Sequence, residues 1–278
     1  MGKKKPRGKC RICGEYKKLS FEHVPPGATF NKQAVRLVNV RDFIVAEKQD
    51  ESTMPWELEK VKGRISQRGR GDYYICEKCN NDTGSWYGAH YKKMIDLLMY
   101  VMHQESAKDF QSVILEIREL RPLPIIKQIM TMFCDINDNL ASNDPALRSF
   151  VMDKTNRDLD TDRYKIYMYL LKGGIERISP LSGLIHLGET GPVMVSEIAS
   201  VPAGFIFYKD LPSGYQPPGT EITNFVQCEY DDIATVTLAL NIYENNTWFP
   251  TDFRNKEEIK ATIDMNKKWE EEHKNSDL

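Results

Sequence analysis

The sequence has no apolar run long enough to cross a bilayer. Its most apolar stretches, residues 94–102 and 125–133, are about half of the roughly 20 residues required, and they contain Asp96 and Lys127. The N-terminus is basic (Lys3, Lys4, Lys5, Arg7, Lys9), but no apolar run follows it, so it does not read as a secretory signal. Pro6 stands where a myristoylation motif takes Ser or Thr. There is no internal repeat, Walker loop, Rossmann fingerprint, G-x-S-x-G elbow or helical His-Glu-x-x-His. Net charge is nearly absent too, −2 from 38 Lys and Arg against 40 Asp and Glu. These absences set the expectation of a cytoplasmic protein with no membrane contact. In that compartment the sequon Asn245-Asn246-Thr247 has no consequence.

What is present describes a folded chain. Over 278 residues, 41% hydrophobic and 28% charged composition supplies material for a sizeable core, and the length suggests two domains. Near-neutrality hides an asymmetry. Up to Ile95 there are 20 Lys and Arg against 11 Asp and Glu, a net of +9; the remainder carries 18 against 29, a net of −11. A basic module of residues 1–95 is therefore expected to precede an acidic one of residues 96–278. Asymmetry of this kind points to nucleic-acid contact on the basic side.

The hydrophobic period changes along the chain. Helical spacing is expected through residues 94–102, 124–135 and 145–153, the last capped by Asn143 or Asp144. Period two then takes over: residues 164–171, 183–187, 193–198, 204–208, 221–227 and 234–243 read as strands, and residues 256–274 as a charged helix. Turn signals at Gly173-Gly174 and Pro217-Pro218-Gly219 separate the runs. The fold class expected is α+β, a helical segment leading into a mostly antiparallel sheet.

Four of the six cysteines form two Cys-x-x-Cys pairs, Cys10/Cys13 and Cys76/Cys79. Two such knuckles in one cytosolic chain read as a structural zinc site, each tight turn presenting two thiolates to one ion. The 62 intervening residues exceed a simple ribbon, so an insertion of about residues 27–70 is expected. A redox dithiol is the competing reading, without a βαβ context to support it. Cys134 and Cys228 read as core or surface thiols. A Gly-rich segment of this length closes its core poorly by itself, and metal binding supplies the missing folding energy.

Between the pairs stands Phe21-Glu22-His23-Val24-Pro25-Pro26, and directly after the second pair Asn80-Asn81-Asp82-Thr83-Gly84. With the cysteines, this order resembles the four-cysteine branch of the HNH endonuclease family over residues 8–92. The resemblance implies a ββα-metal fold in which His23 is the general base, Glu22 a ligand of a catalytic Mg2+ or Mn2+, and Asn80 a second ligand at the helix start. It implies DNA, double-stranded, as partner. The residue types suit the chemistry: imidazole accepts a proton near neutrality, and carboxylate and amide oxygens are hard ligands. Asn80 is equally suited to capping a helix that begins near Asn81. The chain departs from the family pattern at Gly71-Asp72, where the middle Asn belongs, and at Thr83-Gly84, where a second ligand His often stands. His90 follows two helical turns further on.

Arg64, Arg68 and Arg70, in a Gly-rich basic loop, are candidate phosphate contacts, with a solvated loop as the alternative. Trp86 and Tyr87 suit base stacking or packing of the helix on the hairpin. A non-catalytic, zinc-dependent nucleic-acid-binding protein with a degenerate HNH fold is the alternative to a nuclease. No motif marks residues 96–278, whose acidity suggests an accessory domain that meets a protein partner or a second copy of itself.

Overall fold

A computed structural model describes residues 5–49, 53–104, 109–185 and 192–273. His186 and the first lysines of the N-terminal arm lie outside them. Among the described residues no helix is long and apolar enough to cross a membrane.

The N-terminal part is built on a small antiparallel sheet in the order β1 (Arg7–Lys9), β2 (Tyr16–His23), β5 (Gly71–Cys76). The chain between β2 and β5 holds a second ladder, β3 (Val35–Val38) with β4 (Gly63–Ser66), and the helix α1 (Val40–Gln49). β5 runs without a loop into α2 (Glu77–Met102), a 26-residue helix. Gly71 makes the close approach of β2 and β5 possible, because a Cβ there would stand 2.1 Å from the Glu22 carbonyl oxygen.

β6 (Ser112–Leu120) leads into α3 (Pro122–Ile136), which starts on prolines and is buried at every residue. Apart from Lys127, Gln128, Thr131 and Asp135 its residues are apolar, and α3 packs between α2 and the large sheet. α4 (Pro145–Met152) follows, its Asp144 cap accepting from the amides of Ala146 and Leu147 as expected. Lys127 of α3, fully buried, donates to the carbonyls of Phe150 and Asp153 and so closes the C-terminal end of α4.

The second sheet has seven strands. They are β6 with β7 (Tyr164–Gly174), β8 (Arg177–Ile185), β9 (Pro192–Ser200), β10 (Ala203–Lys209), β11 (Thr220–Glu221) and β12 (Ala234–Asn245). The order is β6-β12-β7-β10-β9-β8, with β11 beside β7, and only the β12–β7 pair is parallel. One face meets α2, α3 and α4 through Ile166, Met168, Phe205 and Phe207; the other is covered by Tyr243 stacked on Phe253. α5 (Lys256–His273) is largely exposed, with Ile259 its buried anchor.

The chain is therefore mixed α+β, with two differences from the sequence pattern. Residues 221–227 form a 3-10 turn over Thr223–Gln227, because the Thr223 hydroxyl takes the Ile166 amide that a continuing strand would use. β6 was not expected; its Val113-Ile114-Leu115 run breaks the alternation, and Ile114 stays exposed on this edge strand. The charge boundary at Ile95 falls inside α2, and a single hydrophobic cluster runs from Cys10 and Ile12 to Leu240 and Ile242. Charge divides the surface there; the core is continuous.

Arg177 and Glu197 form a buried ion pair, Nε to Oε2 2.7 Å, which the Tyr169 hydroxyl joins at 2.6 Å from Oε1. Removing one partner strands the other charge. Arg177→Met is expected to cost about 3–5 kcal/mol in urea unfolding; a loss below about 1 kcal/mol would show that the pair is not buried as described.

Candidate metal and oxygen sites

Cys10 follows β1, Cys13 lies in the turn into β2, Cys76 ends β5, and Cys79 sits in the first turn of α2. Gly14, at φ +77°, closes the first knuckle, its amide donating to the Cys10 carbonyl at 2.9 Å. The four sulfurs lie within 4.8 Å of one another, with Cys13 Sγ and Cys76 Sγ 4.0 Å apart. Tetrahedral zinc with bonds of about 2.3 Å spaces its sulfurs at about 3.8 Å. The quartet can hold a metal ion such as zinc. Cys10, Cys76 and Cys79 are buried, which keeps such a site closed to water. A hydrogen bond from Cys79 holds the Cys10 thiol down at about 4, further aided by the Cys76 amide 3.3 Å away. The same bond pushes the Cys79 thiol up, and burial raises Cys13 to about 11, so it is at Cys10 that the thiolate is favoured.

The same knuckles bring β2 against the start of α2. Asn80 does not cap that helix, which begins at Glu77 with Cys76 as its N-cap. Instead its Nδ2 donates to Ser20 Oγ at 3.1 Å, and its side chain lies close enough to the Glu22 carboxyl to oppose the upward shift of that group. Ser20 in turn donates to the Ile75 carbonyl at 3.1 Å. Glu22 is paired in register with Asp72. Burial pushes the Glu22 carboxyl up to about 7, opposed by the Asn80 side chain.

Asp135 of α3 is a member of this neighbourhood that sequence reasoning did not single out. It is 1% exposed, and its Oδ1 has no hydrogen-bond partner. Burial first, and then the nearby Glu22 and Cys10 charges, push its carboxyl far up, while Arg11 opposes them. Arg11 itself pairs with Asp138 at 2.7 Å and lies over the Tyr74 ring. In the sequence Asp135 reads only as the end of an apolar helix.

His23 occupies the next strand position and therefore the other side of the pleat. Its ring meets Phe21 edge-on at 5.0 Å, and Phe21 meets Tyr73 at 5.6 Å. Burial lowers the His23 pKa from its usual value, with Lys32 and Arg68 contributing, while a hydrogen bond to the Arg68 backbone opposes the shift. The ring is accordingly neutral at neutral pH, the form that accepts a proton.

The three arginines separate. Arg68 lies over the Phe21 ring at 5.6 Å, beside His23, and Arg64 is exposed on β4. Arg70 is buried, paired with Glu176 and donating from Nη2 to Ser200 Oγ at 2.7 Å. It joins the N-terminal part to the large sheet and has no free fork for a phosphate. Tyr87 is also redirected: it is fully buried and donates to the Val151 carbonyl at 2.8 Å, packing α2 on α4. His90 stands against Tyr230, about 15 Å along α2 from Asn80. His103 bonds the Met99 carbonyl.

Comparison with protein-family models, with curated proteins and with solved structures finds no match to this chain.

Elemental analysis of the purified protein is expected to give about one zinc per chain, and Cys76→Ser to abolish it together with a marked fall in melting temperature. Less than half an equivalent in the unmodified protein would exclude the four-cysteine site.

Proposed function

We propose that the protein is a metal-dependent endonuclease of HNH type that hydrolyses phosphodiester bonds in DNA, with structural zinc on Cys10, Cys13, Cys76 and Cys79. The observation that carries this reading is the approach of Glu22 and Asn80 at the junction of β2 and α2, with the neutral ring of His23 at the next position of β2. The hairpin β2–β5 running into α2 has the order the resemblance implies, and the cysteine quartet lies at its base.

Hard oxygen donors at the Glu22 carboxylate and the Asn80 amide fit Mg2+ or Mn2+, and the orphaned Asp135 oxygen supports a cation in this neighbourhood. Such an ion, when bound, stabilises negative charge on the phosphate and the leaving oxygen. His23 accepts the proton of the attacking water, and the Arg68 backbone hydrogen bond fixes its ring. Arg68, over Phe21, supplies positive charge beside His23 for the DNA backbone.

One observation favours a second reading, a non-catalytic DNA-binding protein. Glu22 lies near Asn80 on the side of the sheet facing α2, whereas His23 lies with Phe21 on the opposite side. A base and a metal ligand divided in this way must reach one phosphate around the end of β2.

The discriminating experiment is plasmid nicking with Mg2+ or Mn2+. The unmodified protein is expected to nick, and His23→Ala to lose about 100-fold or more in rate. Equal nicking by both removes His23 as the base; retained DNA binding without nicking by either establishes the second reading.

A further inference from the structure

The loop after β2 and the turn before β5 are tied into one unit around His23. Asn31, 1% exposed, donates through Nδ2 to the Pro25 carbonyl at 2.6 Å and to the Arg70 carbonyl at 2.8 Å. Its Oδ1 accepts from the Arg70 amide at 2.7 Å, and the Val24 amide donates to the same Arg70 carbonyl at 3.1 Å. The backbones that carry Lys32 and Arg68 are thereby held in fixed relation to each other.

Both cations stand at His23. A Cβ on Gly27 would lie 3.2 Å from the Lys32 stem and 3.3 Å from the imidazole Cγ, so lysine and ring border the same point. Arg68 lies over Phe21, whose ring meets His23 edge-on, and the charges of Lys32 and Arg68 both act on the imidazole. The two side chains are exposed, and neither has a carboxylate partner among the described residues. Two residues before Lys32 the loop presents an aromatic ring. Phe30 has φ 65°, which a bulky side chain rarely adopts, and it stands between buried Thr29 and Asn31 with its own ring 52% exposed. Such a backbone persists only where its surroundings over-determine it, here through the Thr29 and Asn31 bonds to the Pro26 and Pro25 carbonyls.

Two unpaired cations around a neutral imidazole match the oxygens of a phosphodiester, and the exposed ring beside them matches the sugar and base that a bare anion lacks. The other side of β2 is closed by α2, whose Asn80 meets Ser20. We infer, on the DNA reading above in either its catalytic or its non-catalytic form, that DNA lies across the Phe21–His23 face of β2, with Lys32 and Arg68 gripping backbone phosphates there and Phe30 resting against a sugar or base. Lys32 is then a binding residue that the basic-loop pattern of Arg64, Arg68 and Arg70 did not mark.

The test reads binding separately from cleavage. The full chain carrying His23→Ala, without added Mg2+ or Mn2+, is titrated into a short labelled duplex and followed by anisotropy at several salt concentrations. Each phosphate contact contributes about 0.9 to the slope of log K against log salt. Lys32→Ala and Arg68→Ala are each expected to weaken binding about tenfold at low salt and to reduce that slope by about one. Phe30→Ser is expected to weaken binding with the slope unchanged, and Lys172→Ala, an exposed charge on the large sheet, to change neither. These shifts in a protein that fails to nick plasmid remove the catalytic form and leave the DNA-bearing face assigned. An unchanged slope in Lys32→Ala or Arg68→Ala, with zinc content and circular dichroism intact, puts DNA elsewhere even where nicking is observed. Displacement of the duplex by inorganic phosphate as readily as by unlabelled duplex, or unchanged affinity in Phe30→Ser, reduces the face to an anion site. Either of those two results overturns the inference, as does a slope lowered equally by Lys172→Ala or an absence of duplex binding.

Discussion

Everything in the N-terminal part depends on four sulfurs being held together. The Cys10–Cys13 knuckle belongs to the β1–β2 turn and the Cys76–Cys79 knuckle to the β5–α2 junction, so drawing them into one cluster closes a loop of 62 residues. Ordering that length of chain is entropically costly, and the insertion has little core to offset it: of α1, only Phe43 is deeply buried among its described side chains. A metal bound to the thiolates would provide the required free energy locally. The result is a fixed angle between a strand and the first turn of a helix, with Ser20, Glu22 and Asn80 in contact where they meet.

That contact places charge where it is unfavourable. Glu22, half-buried, and Asp135, buried, are acids whose ionised forms disfavour one another, and Asp135 has an oxygen with no hydrogen bond. Buried carboxyls left in this condition either keep a proton or meet a cation. A cation is the chemically productive answer on the proposed reading, and it would connect the cysteine cluster, the hairpin and α3. α3 is also the mechanical link: buried on all sides, it carries Asp135 to the N-terminal sheet and Ile129, Met130 and Phe133 to the shared core. The basic and acidic halves therefore share an interior while differing in surface charge, and Arg70 to Glu176 is one place where those surfaces meet.

Much of this was legible in the sequence for a simple reason: local spacing encodes local geometry. The Cys-x-x-Cys pairs, the Pro-led helix α3, the Asp144 cap and the alternating strand β12 each declare themselves within a few residues. What stayed hidden is set by long-range packing. Asp135 looks like any helix-terminal acid until α3 is laid beside β2. Arg64, Arg68 and Arg70 look interchangeable in a basic loop, yet one is exposed, one lies on an aromatic ring, and one is turned inward to an acid 106 residues away. Residues 221–227 carry strand propensity, but a single Thr223 hydroxyl captures the neighbouring strand's amide and bends the chain. The face on which His23 lies was likewise undetermined, because adjacent strand positions diverge and only Phe21 and Tyr73 fix which side the ring takes.

The central claim is that Glu22 and Asn80 form an oxygen site for a divalent ion, built on the cysteine cluster. Anomalous diffraction from crystals soaked in Mn2+ tests it most directly. The account predicts a manganese peak bonded to oxygens of Glu22 and Asn80, and a separate zinc peak among the four cysteines. A zinc peak with no manganese at Glu22 would contradict it.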